Sequence, residues 1–278
     1  MRHLIAILLL AFSAATASAE DLTAPVPGYG VTYFDLLKLA IPGMTIEEGH
    51  ALSPGIPSQR HVVPDYYGGD APNPIDIAIV SERRLVSEGH ERLLILAEAG
   101  PEAGMAGNQA LLFAYEDRDG TLVFLDYADV GMGDSSAFVD TLGIGVEDSA
   151  VTIASEHHNS QQSYVWTSVV FLRDGGITSI DEIFTFSTHA CLTEELQELA
   201  FTTGPGPGPY YSLRAVVTAT ERNSEWWIDC GSSSETLMPM VPVIEHITVA
   251  YTWSAVQNAF IPDTNAFEVL LERNRAKF

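Results

Sequence analysis

The chain of 278 residues carries 37 Asp and Glu against 13 Lys and Arg, a formal charge of -24, with 46% apolar residues. That balance argues against nucleic acid, whose phosphates are held by Lys and Arg, and against docking on anionic lipid. It favours a solvated acidic surface, a cationic partner or a divalent metal, and the apolar content is too high for a disordered chain.

The first residues, Met1-Arg2-His3, form a short positive stretch ahead of an apolar run from Leu4 to about Ala15 and the small-residue pattern Ala17-Ser18-Ala19. This is the layout of a secretory signal peptide, and the run is short for a membrane span, which needs about 20 apolar residues. Cleavage is expected after Ala19. It removes Arg2 and no acid, so the charge of -24 becomes -25 on the 259 residues left when 19 are taken from 278. No later apolar stretch is span-length, so no membrane insertion is expected after cleavage, and a periplasmic or secreted location follows.

Residues 20–30 are rich in Pro and Gly and read as a linker, with 31–278 as a single β-rich domain. Tyr33 to Ala40 has helical periodicity and stops ahead of Pro42-Gly43. Residues 42–75 read as irregular. Ile75–Val80 and Leu93–Ala97 are apolar strand-like runs. Ala110–Tyr115 and Thr121–Leu125 flank Asp117-Arg118-Asp119-Gly120, a hairpin signal because Gly supplies the positive φ that such turns need.

Three more hairpins follow: Tyr164–Leu172 with Ile177–Phe186 around Asp174-Gly175-Gly176, Tyr211–Thr220 with Trp226–Ile228, and Ile247–Trp253 with Phe260-Ile261 around Gln257-Asn258. Thr193–Ala200 and Thr264–Arg275 read as helices with Thr caps. The alternating Gly and Pro of 204–209 offer nothing to bury and are expected on the surface. The predicted fold is mainly β with a few peripheral helices: packed antiparallel sheets, a sandwich or open barrel. Irregular turn spacing makes a small propeller-like array of hairpins the alternative.

Cys191 and Cys230 are the only cysteines, and an even count in an exported chain predicts one disulfide. The most chemically loaded stretch is Glu156-His157-His158-Asn159, continuing to Tyr164, read as a polar loop after the strand Val151–Ala154. Its histidines are able to bind metal or move protons near neutral pH, although neighbours in extended chain point to opposite faces. Tyr210 and Trp226, each in an adjacent aromatic pair, are candidates for an aromatic platform beside that loop.

Other motifs are incomplete. Asp117 and Asp119 lack the further oxygens of an EF-hand loop. Gly133-Asp134-Ser135-Ser136 resembles the nucleophile block of GDSL-type hydrolases, but it stands mid-chain and no His has an Asp three positions before it, so the serine has no base. His90-Glu91 begins like a zincin helix but has Leu94 where the second His must stand. With no complete catalytic constellation, the expected function is a non-enzymatic envelope protein that binds a protein or small-molecule partner. The alternatives are a metal-assisted hydrolase built on Glu156, His157 and His158, and a structural envelope protein. Neither a cofactor nor a metal is specified.

Overall fold

A computed structural model describes residues 22–48, 50–54, 60–61, 75–100, 107–189, 193–223 and 240–277. The expected signal segment, Cys191, Cys230 and Trp226 lie outside the described residues. The first element of the described residues is helix α1, Tyr33–Ala40, where the sequence places it. Thr32 and Asp35 cap it reciprocally, each side chain accepting from the other residue's backbone N–H.

The other described elements are strands, antiparallel except for one, and a second helix. The first sheet holds β1 (Thr45–Glu47), β2 (His50–Ser53), β4 (Ile75–Ser87), β5 (His90–Gly100), β6 (Asn108–Arg118) and β7 (Thr121–Gly133) in chain order, with β3 (Arg60–His61) added in parallel beside β7. The second is a meander in strict chain order: β8 (Ser135–Gly143), β9 (Ser149–Asn159), β10 (Gln162–Arg173), β11 (Gly176–His189), β12 (Thr193–Gly204), β13 (Ser212–Asn223), β14 (Val243–Ser254) and β15 (Ala259–Pro262). Helix α2, Ala266–Arg275, follows. The packed sheets match the sandwich expectation, and no barrel closes.

The turns explain much of this. Asp119-Gly120 and Asp174-Gly175 each place two successive residues at positive φ, 54° and 81° then 50° and 73°. This is the geometry that keeps a two-residue hairpin in step with strand twist. Asp117 spends one oxygen on the Gly120 N–H at 2.8 Å and the other on the Tyr29 hydroxyl at 2.7 Å, so it serves turn and packing.

Burial explains the continuous apolar runs. On β5 and β6, Leu94, Leu96, Leu112 and Ala114 meet Val151, Ile153, Val170 and Leu172 of the second sheet. The alternate residues Leu93, Ile95, Leu111, Phe113 and Tyr115 face α1 and the segment before it. Strands covered on both faces lose the polar alternation of a half-exposed sheet. Leu22 and Val26 belong to the second of these cores, so described residues 22–30 pack down where the sequence reading expected a linker.

The second sheet splays in its middle. β11 and β12 pair only at Thr188–Glu195 and His189–Glu194, after which the two halves part. Phe267 and Leu270 of α2 fill the wedge with Val169, Phe171 and Ile183 on one side and Val217, Val249 and Tyr251 on the other. The Tyr251 hydroxyl donates to Asp181 across it. Deep in the wedge, Gln197 and Asn274 exchange two amide hydrogen bonds of 2.9 Å, and the Phe186 N–H donates to the same Gln197 oxygen at 3.0 Å.

One sequence expectation about these strands is overturned. Thr193–Ala200 is strand: β12 pairs with β13 along its whole length, Thr193 to Gly204, and this ladder overrides a Glu- and Leu-rich helical pattern. Among the described strands, β13 has β12 on one edge and β14 on the other. Trp226–Ile228, expected to pair with it in the third hairpin, lie outside the described residues.

Candidate functional site

The stretch read as a loop is a hairpin. Glu156, His157, His158 and Asn159 end β9, and Gln162 begins β10 after Ser160-Gln161. The register sets His157 opposite Tyr164, His158 opposite Ser163 and Asn159 opposite Gln162. Strand alternation then sends His157 to the face turned toward the first sheet, with Val151 and Ile153, and His158 to the other.

The partner of His157 comes from the point where the chain changes sheets. β7 ends at Gly133 and β8 begins at Ser135. A Cβ on Gly133 would stand 2.6–2.7 Å from the backbone O and N of Glu156, closer than any side chain tolerates, so glycine is required there. The Asp134 N–H donates to Glu156 O at 2.6 Å. Its carboxylate lies 2.7 Å from His157 Nδ1 and accepts the His158 N–H at 3.2 Å. The block that resembles a hydrolase nucleophile is thus a crossover whose acid holds a histidine. Ser136 is buried, with its hydroxyl 3.0 Å from that of Ser155 and its N–H donating at 2.6 Å to Glu98. Burial pushes the Glu98 carboxyl up, against these bonds to Ser136 and Asn108.

Around His157 the face is aromatic. Its ring centroid lies 5.6 Å from that of Tyr164, which lies 5.4 Å from Phe186, and Trp166 and Phe184 continue the row at 4.5 Å. Asn159 Nδ2 donates to Gln162 Oε1 at 3.0 Å, and the Tyr164 hydroxyl donates to the same oxygen. On the opposite face, His158 Nε2 stands 3.0 Å from Glu156 Oε2, both half-exposed.

A third histidine–carboxylate pair, missed in the sequence, closes this end of the sheet. Glu194, 2% exposed, takes His189 Nδ1 at 3.3 Å and Arg222 Nε at the corner where β11 meets β12. The His189 N–H bonds Gln161 O of the β9–β10 turn at 2.8 Å. Nothing local in sequence points to the pair, because the spacing around Glu194 is helical while the residue stands on β12.

Tyr210 does not join this surface. It is 6% exposed and packs on Phe171, Trp253 and Phe260, beside Gly145 with which it forms a β-bridge. Strand β9 runs from that end to His157, a separation of about 30 Å. Of the adjacent pair Tyr210-Tyr211, Tyr210 belongs to the wedge core and not to an exposed platform.

The arrangement offers a fixed imidazole, an amide pair and aromatic surface on one face, and an ion-pairing His and Glu on the other. Among the described residues no three His, Cys, Asp or Glu side chains converge to hold a metal ion, and none of their helices is long and apolar enough to cross a membrane. No protein-family model, curated protein or solved structure matches the chain.

Proposed function

We propose that this is an exported, non-enzymatic binding protein of the cell envelope that takes a small polar ligand at the end of the second sheet around His157 and Tyr164. The observation that supports it is the Asp134–His157 pair beside Tyr164: a histidine fixed at Nδ1 by a carboxylate, ringed by aromatic surface and by the Asn159–Gln162 amides. Few, fixed polar groups set among aromatic ones are the usual composition of a small-molecule site. Export rests on the signal-like first 19 residues, and a Cys191–Cys230 disulfide fits the oxidising compartment they imply.

The test is a thermal-shift screen of small sugars, amino acids and polyamines against the mature chain. Any compound that raises Tm is then titrated calorimetrically into wild type and into the triple variant His157→Ala, His158→Ala, Tyr164→Ala. A loss of affinity of tenfold or more supports the site; unchanged affinity overturns it.

A metal-assisted hydrolase is the second reading, favoured by the same pair, since a carboxylate on one histidine nitrogen orients the other toward a metal. His157 and His158 diverge, so further ligands would have to come from elsewhere in the chain. Full hydrolytic activity after exhaustive chelation would defeat it.

A further inference from the structure

Strand β14 has one finished edge and one open one. It pairs with β13 from Val243 to Tyr251, but with β15 only from Tyr251 to Ser254. Ala250 shows which way the open edge points: its N–H donates to Asp263 Oδ1 and its C=O accepts the Asp263 N–H, both at 2.9 Å and both away from β13. Along an antiparallel strand, outward groups recur every second residue. The N–H and C=O of Ile244, His246 and Thr248 therefore point outward too, and among the described residues no backbone group bonds them.

The side chains along this edge are unusual for one left to solvent. Val241 is 83% exposed, Val243 58% and Ile244 59%. From Met240 to Ala250 there is no Lys or Arg, and the β14 ladder carries no register shift, so the devices that normally blunt a sheet edge are missing from the strand itself. Pro242 stands just before it. The charges on and beside the strand are mostly acidic: Glu245, which Arg273 pairs at 2.5 Å, Glu221 opposite Val243 and Asp263 at its end, with Arg214 opposite Ala250.

We propose that the open edge of β14 receives an extended, basic segment of a partner protein as an added antiparallel strand. The outward backbone groups of Ile244, His246 and Thr248 supply the ladder. Val243 and Ile244 supply apolar contact on the two faces. Glu221 and a chain of charge -24 select Lys and Arg in the guest. A second copy of this chain is the poorer occupant, because it brings the same negative charge and no cation along its own β14. The surface is separate from the His157 face and does not rest on it.

The probe is a fluorescein-labelled dodecapeptide of alternating Lys and Val, followed by anisotropy on the mature chain at low and high salt, with an alternating Glu and Val peptide beside it. The Lys peptide is expected to bind, to weaken as salt rises, and to slow amide exchange at residues 244–248; the Glu peptide is expected not to bind. His246→Pro removes one outward N–H that the β13 ladder does not use, and is expected to weaken binding tenfold or more. Ile244→Lys, which keeps every backbone donor, is expected to do the same through charge, with both variants checked for an unchanged melting profile. Equal binding to a well-folded His246→Pro, no binding of the Lys peptide, or protection away from β14 each overturns the proposal. A concentration-dependent dimer of the mature chain that His246→Pro abolishes overturns it in favour of a second copy.

Discussion

Asp134 Oδ2 lies 2.7 Å from His157 Nδ1, and Asp134 is also the residue at which the chain passes from one sheet to the other. The element that joins the sheets therefore also aims the histidine, and the two roles separate by mutation. Asp134→Ala is expected to cost about 1 kcal/mol of stability, since the pair is partly exposed and such pairs are weak, while leaving the His158 N–H short of an acceptor. Gly133→Ala is expected to cost about 3 kcal/mol, because its Cβ meets backbone that has no room to yield. Urea denaturation of both variants checks the order. A larger loss for Asp134→Ala than for Gly133→Ala would show that the ion pair, and not the close backbone approach, holds the crossover.

Asn274 fastens the last helix to the splayed sheet through the Gln197 amide alone, whereas Gln197 serves both Asn274 and the Phe186 N–H. Asn274→Ala is expected to destabilise by about 2 kcal/mol, and Gln197→Ala by about 3 kcal/mol because it also strands a backbone donor. The double variant should cost less than the sum, since each single change already breaks the shared pair. Additive losses in a double-mutant cycle would mean that the two amides act independently.

Cys191 and Cys230 lie outside the described residues, but the strand positions nearest them, Thr193 and Asn223, are register partners on β12 and β13. Both segments therefore leave the same end of adjacent strands. The mature protein made in an oxidising compartment is expected to show no free thiol, and reduction is expected to lower stability by about 4 kcal/mol for a loop of about 40 residues. Titration of two free thiols in the unfolded, unreduced protein would refute the bridge.

Much of this fold is written in short-range chemistry. Asp119-Gly120 and Asp174-Gly175 announce their hairpins because the backbone there demands positive φ. Leu93–Ala97 and Ala110–Tyr115 read as strands because they are covered on both faces. What was not legible depended on distant partners. Ser81–Arg92 is charged and polar, yet it forms the end of β4 and the start of β5 around Glu88-Gly89, where the Glu88 N–H bonds Asp148 at 2.9 Å and its carboxylate accepts the Asp174 N–H at 2.8 Å. At the site, the residue types were visible but their directions were not. Only the register opposite Tyr164, and an acid 23 residues earlier, settle which face His157 takes.

Glu182 of β11 gives the stability a pH dependence of predictable sign. Burial first, and then the charges of Asp129 and Asp181, push its carboxyl up to about 7, while in the unfolded chain it titrates near 4.3. Between those values the folded protein holds a proton that the unfolded chain has released, so stability falls as pH rises. The favourable contribution of the neutral acid is complete below about pH 4.3 and is lost as pH passes through 7. Ionised Glu182 should then cost about 3–4 kcal/mol. Glu182→Gln keeps the shape and removes the titration, so it is expected to match wild type at pH 5 and to exceed it in stability at pH 8. Urea unfolding of both proteins from pH 5 to 8 makes the comparison, and other acidic groups cancel in the difference. Parallel curves across that range would mean that Glu182 is ionised in the folded protein throughout, and that the space between the sheets carries its charge at no cost.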